Sequence, residues 1–418
     1  MKRYFVVAPR GRHEMVKQGI SAKGRADEAA SLRHSVTQPG TAIAYLSPET
    51  AGHLATQGMT LYEDVQFQIF DASVPSDPSA QYWQSKSQPT LEPADVSQAV
   101  GAANLSAVME QVNAPAAWAI TKGAGATIAV VDSGVAASLH EFAASRRSTV
   151  DVTSAYQGRH WQDGQGHGSM CAAIAAGSKA DGGRYDGVAP EATILAVRTD
   201  FTATDLFLIY EDLIQAKANG TLRGPLVISN SYGLYRCSSD NVLQQDHPYL
   251  KNVLAAVDAG IVVIFAAGNN HANLCNLDPS ADSPNTIWSV NSHDRVISVG
   301  TVDRNGSNQT PPSPHVNSSR GPGEWSVEHK KPDVVCPTYG EVVWGEGYRT
   351  MEWWGSSGAC PQVAGLAALL MTVAPGLAPD KVGDIIRNSA RNLHAPANCV
   401  GHGIIDCGAA VAQVTAGV

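Results

Sequence analysis

The sequence contains no lysine- or arginine-rich block, no apolar run of the roughly 18 residues that span a bilayer, and an odd set of cysteines. The first absence, with a formal charge of −9 over 418 residues, argues against a nucleic-acid partner, because polyanion binding needs clustered positive charge. The second excludes a membrane span as read from composition. Seven cysteines cannot all pair within one chain, so at least one thiol is unbridged or joins another molecule. Cys171, Cys336 and Cys360 lie in apolar, small-residue segments and read as compact core residues. Cys237 with Cys275, and Cys399 with Cys407, are two candidate disulfides. The first nine residues carry the charge of a signal peptide, but the apolar run stops at Pro9 and no small-residue cleavage site follows. They read as a first strand, which leaves the compartment open: cytoplasmic, exported by another route, or secreted if a signal precedes this sequence.

What is present is a large apolar fraction, 44 % against 16 % charged, with 39 glycines and 23 prolines. That suits one large core plus a smaller module. Residues 1–71 form the module, with strands expected over 3–8, 42–47 and 65–70 and helices over 26–34 and 48–57. Residues 72–102 turn to Ser, Pro, Gln and Asp without periodicity and read as an exposed linker. From 103 to 418 short apolar runs alternate with helical ones. Strands expected at 126–131, 192–197, 225–229, 261–267 and 296–302 are apolar on both faces, the pattern of a parallel sheet covered by helices on both sides. In such sheets functional groups collect beyond the carboxyl ends of strands.

Two polar groups fall at such ends and a third at a helix start. The run 126–131 closes on Asp132-Ser133-Gly134, Gly164-Gln-Gly-His167 opens a small-residue helix, and 261–267 closes on Gly268-Asn269. A fourth stretch, Gly355-Ser-Ser-Gly-Ala-Cys-Pro361 running into an apolar helix to Leu370, displays a serine at a helix N-terminus, where unsatisfied N–H groups receive negative charge. Pro361 suits the first helical turn, where its missing N–H costs nothing. Taken singly, each residue is an ordinary cap or turn residue. Together they are the parts of a nucleophilic acyl-transfer site: a serine, an imidazole base, a carboxylate to orient it, and an amide for the developing oxyanion.

The order Asp132…His167…Ser357, with Val-Val-Asp132-Ser-Gly, His167-Gly-Ser, Gly187-Val-Ala-Pro190, Asn230-Ser-Tyr-Gly233, Ala266-Ala-Gly-Asn269, Lys331-Pro-Asp-Val-Val-Cys-Pro337, Gly355-Ser-Ser357-Gly-Ala-Cys-Pro361 and Gly401-His-Gly-Ile-Ile-Asp406, resembles the subtilisin-like serine proteases of peptidase family S8. The downstream Ala359-x-Pro361 spacing singles out Ser357 rather than Ser356. The resemblance implies an α/β subtilisin-like three-layer fold with a central, mostly parallel sheet. It implies a serine endopeptidase acting on proteins or peptides, with Asp132, His167 and Ser357 as triad. Its oxyanion hole would be the Asn269 amide and the Ser357 backbone N–H. Ser231, Tyr232 and Gly233, and Ala266, Ala267 and Gly268, would be the two walls between which substrate adds as a strand, with an apolar or aromatic residue preferred at the cleaved bond. Residues 1–71 resemble the family's inhibitory propeptide domain, with self-cleavage between Phe70 and about Leu105. No cofactor is needed for the chemistry. Family members often bind structural calcium, and Asp181 and Asp186 lie in a suitable region. His394, Cys399, His402 and Cys407 do not match a common zinc spacing.

Departures from the pattern are Ser356 for threonine, Gly358 for methionine, and Cys336 and Cys360 for alanine. Trp353 and Trp354 before the turn are expected to shape the cleft. A catalytically silent scaffold held shut by its own N-terminal domain is the competing reading. A phosphate-binding protein is excluded, since no G-x-x-x-x-G-K-[ST] motif exists.

Overall fold

The central strands of the small N-terminal sheet are buried on both faces, one by its own helices and one by the larger unit, and uninterrupted burial marks the large sheet. A computed structural model describes residues 1–9, 14–69, 103–236, 242–272, 275, 285–302, 314–328 and 330–416. In the first unit the order is β1 (Lys2–Val7), α1 (Glu14–Lys23), α2 (Ala26–Ala30), β2 (Arg33–His34), β3 (Thr41–Leu46), α3 (Pro48–Thr56), β4 (Thr60–Glu63) and β5 (Gln68–Ile69). The antiparallel sheet runs β2-β3-β1-β4. Successive side chains of β1 point to opposite faces, so Tyr4 and Val6 join Val16, Ile20 and Leu54 of α1 and α3 in a private core. Phe5 and Ile43 face the other way, into the larger unit.

That unit contains α4 (Leu105–Gln111), α5 (Ala114–Trp118), β6 (Thr127–Asp132), α6 (His167–Ala176), β7 (Thr193–Arg198), α7 (Ala203–Ala218), β8 (Leu226–Asn230), β9 (Tyr232–Gly233), α8 (Pro248–Asp258), β10 (Val262–Ala266), β11 (Ile297–Val302) and β12 (Val334–Pro337). The hairpin β13 (Gly340–Trp344) and β14 (Gly347–Met351) follows, then α9 (Gly355–Val373), α10 (Pro379–Ser389), α11 (Ala397–Val400) and α12 (Cys407–Thr415). The six-stranded sheet has the order β12-β11-β10-β8-β6-β7, every pair parallel. Ile128, Val130, Ile194, Val227 and Ile264 pack on one face against α6 and α9. Ala129, Val131, Leu195, Ile228 and Phe265 pack on the other against α7 and α8. This is the expected three-layer α/β fold.

The first unit lies on the outer side of α7 and α8. Glu211 of α7, 3 % exposed, accepts from Val36 N and Thr37 N at 3.0 Å and Thr37 Oγ1 at 2.7 Å, and from Ser35 Oγ. Gln38 donates to Pro248 O at 2.8 Å and Asn252 Oδ1 at 2.7 Å. The segment after β4 then runs along the large unit, with Phe67 N donating to Phe201 O and Ala203 N to Val65 O, both at 2.8 Å.

Several expectations need correction. The helix expected over 26–34 ends at Ala30, and Arg33 and His34 instead pair with Ile43 and Ala42 to extend the sheet. A helix that was not expected, α1, precedes it, anchored by Val16, Gly19 and Ile20 at helical spacing. The strand expected over 65–70 is confined to Gln68–Ile69. The linker at 72–102 lies outside the described residues, as does Cys237. Cys399 and Cys407 do not form a disulfide and are buried thiols, whereas Cys275 is disulfide-bonded. The 19-residue α9 is long and apolar enough to cross a bilayer, although no such run was expected, but it is the core helix, buried from Gly355 to Met371.

Candidate active site

Asp132 is the last residue of β6, an interior strand paired with β7 and β8, so its position is fixed by the sheet. Both Asp132 and His167 are 1 % exposed. Asp132 Oδ1 lies 2.8 Å from His167 Nδ1 and accepts from Ser133 N at 2.7 Å. His167 opens α6 after Gly166, whose φ of +89° belongs to the left-handed region that glycine tolerates. A Cβ on Gly166 would also lie 2.8 Å from the Trp344 indole nitrogen. His167 Nε2 is buried without a hydrogen-bond partner, which leaves it available to take a proton. Burial opposes the imidazolium, but the Asp132 carboxylate outweighs it and, with Cys171, holds the His167 pKa well above the ordinary histidine value.

Asp163, which the sequence reading missed, ties these two elements together. Its Oδ1 accepts from Ser133 Oγ at 2.8 Å, Gln165 N at 2.9 Å and Gly166 N at 2.8 Å, and its Oδ2 from Ser169 N at 2.9 Å. Ser133 Oγ in turn accepts from Gly168 N at 2.9 Å. One carboxylate thus caps the first turn of α6 and grips the strand tip beyond Asp132. Burial works against its charge, yet these hydrogen bonds keep its pKa below the usual carboxylate range. An aspartate four residues before the histidine, at a helix start, is a capping signal that could have found it. Asp163→Ala should cost roughly 1–3 kcal/mol of stability and lower kcat with little change in KM. Asp163→Asn, which keeps Oδ1, should recover part of both; equal loss in the two variants would refute the clamp.

Ser357 is the third residue of α9. Pro361 is not in the first turn, as expected, but in the second. It therefore cannot donate to the carbonyl four residues back, which is that of Ser357. Ser231 Oγ supplies that bond at 3.1 Å and Cys171 Sγ approaches the same oxygen at 3.5 Å. Cys171 lies one turn beyond His167, 3.8 Å from its Nδ1. The missing proline donor is thus replaced by contacts that bind Ser357 to one expected substrate wall and to the histidine helix.

Asn269 follows β10 and is 6 % exposed. Its Oδ1 accepts from Ser356 N and Ser356 Oγ, both at 2.9 Å, and Ser356 Oγ accepts from Gly268 N at 3.1 Å. Because an N–H donor meets Oδ1, the amide nitrogen must be the end turned to the Gly355 turn. Gly355 has φ +68°, and a Cβ there would lie 2.5 Å from Asn269 Nδ2, so only glycine lets the amide approach.

Of the expected walls, Tyr232 turns its side chain inward. It is 0 % exposed, with its hydroxyl on Asn230 Oδ1 at 2.9 Å and near Tyr249 OH at 2.8 Å, so it offers backbone to the cleft. Asn291, also missed, donates from Nδ2 to Tyr232 O at 2.7 Å and Ala266 O at 2.9 Å, bridging the two walls. The edge of β9 is taken by β5, with Gln68 opposite Gly233 and Ile69 opposite Tyr232. Trp354 does not line a cleft but is buried, its Nε1 donating to Gly340 O at 2.9 Å. It explains Gly358, where a Cβ would lie 2.7 Å from the Trp354 Cβ. Trp353 stacks on His315 at 3.9 Å.

Asp181 and Asp186, the carboxylates raised as a possible calcium loop, already have protein partners. Asp181 Oδ2 accepts from Ala143 N at 2.8 Å and Arg146 Nε at 2.6 Å, and Asp186 Oδ1 accepts from Lys179 N at 2.8 Å. These carboxylates are occupied by cations and amides. Among the described residues, the one set of three clustered ligand-type side chains is Asp132, His167 and Cys171, which is the hydrogen-bonded pair with its neighbouring thiol. The residues at 394–407 form no such set.

Residues 123–403 match the subtilase family model. The chain belongs to the subtilase family. Serine protease AprX of Bacillus subtilis is 30 % identical to this subtilase over 290 residues, covering 64 % of this chain and 61 % of AprX. A calcium-dependent protease of Nostoc is 29 % identical over 314 residues, covering 68 % of this chain and 44 % of its own. The subtilase therefore spans less than two thirds of these relatives' lengths. The crystal structure of fervidolysin from Fervidobacterium pennivorans, described as a keratinolytic enzyme related to subtilisin, shares the fold, with a TM-score of 0.65 at 17 % identity over 98 % of this chain and 61 % of that one.

Proposed function

We propose that this subtilase is a serine endopeptidase made as an autoinhibited precursor. The observation that carries the reading is the buried 2.8 Å contact between His167 Nδ1 and Asp132, set beside the N-terminus of the helix that bears Ser357. In the proposed reaction Ser357 Oγ adds to the scissile carbonyl carbon while its proton passes to His167 Nε2, and Asp132 stabilises the resulting imidazolium. The carbonyl oxygen becomes an oxyanion facing Asn269 Nδ2 and Ser357 N. Collapse breaks the C–N bond, His167 returns the proton to the leaving amine, and an acyl-enzyme remains. Water repeats the sequence: its proton goes to His167, its oxygen to the acyl carbon, and Ser357 leaves with the proton.

Substrate is an extended peptide between Ser231–Gly233 and Ala266–Gly268, with an apolar or aromatic residue preferred before the cleaved bond. The pairing of β5 with β9 supports both the peptide mode and the inhibition, because residues 1–71 then place their own chain where substrate adds. That placement supports self-cleavage between Phe70 and about Leu105.

Full-length wild type should react with a fluorophosphonate probe at Ser357 after incubation and yield fragments whose masses place the break in that interval. Ser357→Ala should remain intact and unlabelled. Wild type that stays full length and unlabelled would sink the reading.

A further inference from the structure

His247 belongs to no part of the proposed chemistry, yet it is fully buried where the N-terminal unit meets α8. The rings of Phe5 and Tyr62 close on it edge-to-face, at centroid distances of 4.9 Å and 5.2 Å. Its Nδ1 accepts from Tyr249 N at 3.1 Å, capping α8. The ring proton of the neutral form is therefore on Nε2, which is buried without a partner.

We propose that His247 makes the docking of residues 1–69 acid-sensitive, because the interface accommodates only the neutral imidazole. Protonation has three costs there. Nδ1 becomes a donor and the Tyr249 N–H loses its cap. A positive charge appears at a helix N-terminus, the unfavourable end of the dipole. That charge also lies between two apolar rings without a partner for either N–H. Once the N-terminal unit leaves, Phe5 and Tyr62 go with it and water can solvate the cation.

The surrounding charges do not cancel this. Burial pushes the docked imidazole down to about 3, against Asp246, which raises it, while Lys251 lowers it further. Asp246 also accepts the Tyr62 hydroxyl at 2.8 Å. From β1, Lys2 pairs with Glu63 of β4 and Arg3 with Asp64 just beyond it. On α7, Glu211 is engaged by Ser35, Val36 and Thr37. The sign follows from linkage: a group whose pKa is depressed in the docked state and near 6.5 undocked favours release as pH falls below 6.5, by up to roughly 30-fold between pH 7.5 and 5.0. The proposal deepens the precursor reading above, since acid would then uncover the cleft.

The test uses full-length Ser357→Ala, which needs no cleavage, and the same chain with His247→Asn, whose amide oxygen preserves the cap. Hydrogen exchange, corrected for the intrinsic rate, is followed at interface amides Val36, Thr37, Phe67 and Ala203, with residues 355–373 as the core reference. From pH 7.5 to 5.0 the His247 protein should lose protection at those amides by tenfold or more and the His247→Asn protein by less than threefold. Equal losses in both would overturn the proposal. Should His247→Asn fail to fold, His247→Gln replaces it. By NMR, a His247 ring that protonates near pH 6.5 while Phe67 and Ala203 stay protected would also overturn it. An unprocessed wild type would refute the precursor reading separately, without touching this result.

Discussion

Asp132→Asn should fold and hydrolyse peptides about four orders of magnitude more slowly, equivalent to about 5 kcal/mol of transition-state stabilisation. The asparagine is isosteric, and with Oδ1 in place it still accepts from Ser133 N, because that same oxygen is the one facing His167, so the strand tip is preserved in that orientation. Either orientation of the amide fails chemically. With Nδ2 toward His167, the ring keeps its proton on Nε2 and cannot accept one from Ser357. With Oδ1 toward His167, the geometry survives but no charge balances the imidazolium at a site only 1 % exposed. The pH profile supplies a second readout. In the proposed mechanism the neutral ring is the base, so the rate should rise as pH passes upward through the His167 pKa, which in wild type is held above the ordinary histidine value. Without the carboxylate, burial dominates and the acid limb of kcat/KM should move to lower pH. Near-normal turnover, or an unmoved limb, would mean that Asp132 does not orient His167.

What could be read from sequence follows a physical line. Parallel strands buried on both faces leave continuous apolar runs, so β6, β7, β8, β10 and β11 were visible within a residue or two, and so were the groups at their ends, Asp132 and Asn269. His167 and Ser357 were visible because glycine-rich turns feeding small-residue helices are locally coded. Asp163 was not, since a single acidic residue in a polar loop shows its role only when Ser133, thirty positions away, folds against it. Asn291 is hidden for the same reason: its acceptors on Tyr232 and Ala266 are 59 and 25 residues distant. Pro361 was placed one turn too early, because the compensation for its missing N–H comes from Ser231 and Cys171. The N-terminal unit was harder still. Its β2 exists only through pairing with β3, and neither Arg33 nor His34 is buried, so no burial pattern marks it.

The second large effect concerns Asn269. Asn269→Ala should lower kcat by about 10²–10³-fold with KM little changed, because an oxyanion donor acts on charge that exists only in the transition state. The structure gives a reason to expect the upper part of that range. The amide cannot rotate to compensate or be replaced by a mobile neighbour, since Oδ1 is held by both donors of Ser356. Its orientation is set before substrate arrives. Truncation also leaves the Ser356 N–H and hydroxyl without their acceptor, which should cost about 1–3 kcal/mol in stability. Activity loss alone is therefore ambiguous, and Gly355→Ala resolves it. That variant keeps the Asn269 amide but brings a Cβ to 2.5 Å from Nδ2 at a backbone φ of +68°, so the donor must move. If a fixed Nδ2 is what stabilises the oxyanion, Gly355→Ala should show the same pattern, a fall in kcat at nearly constant KM, in protein that is still folded. A kcat within threefold of wild type in folded Asn269→Ala would remove Asn269 from the oxyanion hole and leave the Ser357 backbone N–H as its proposed donor.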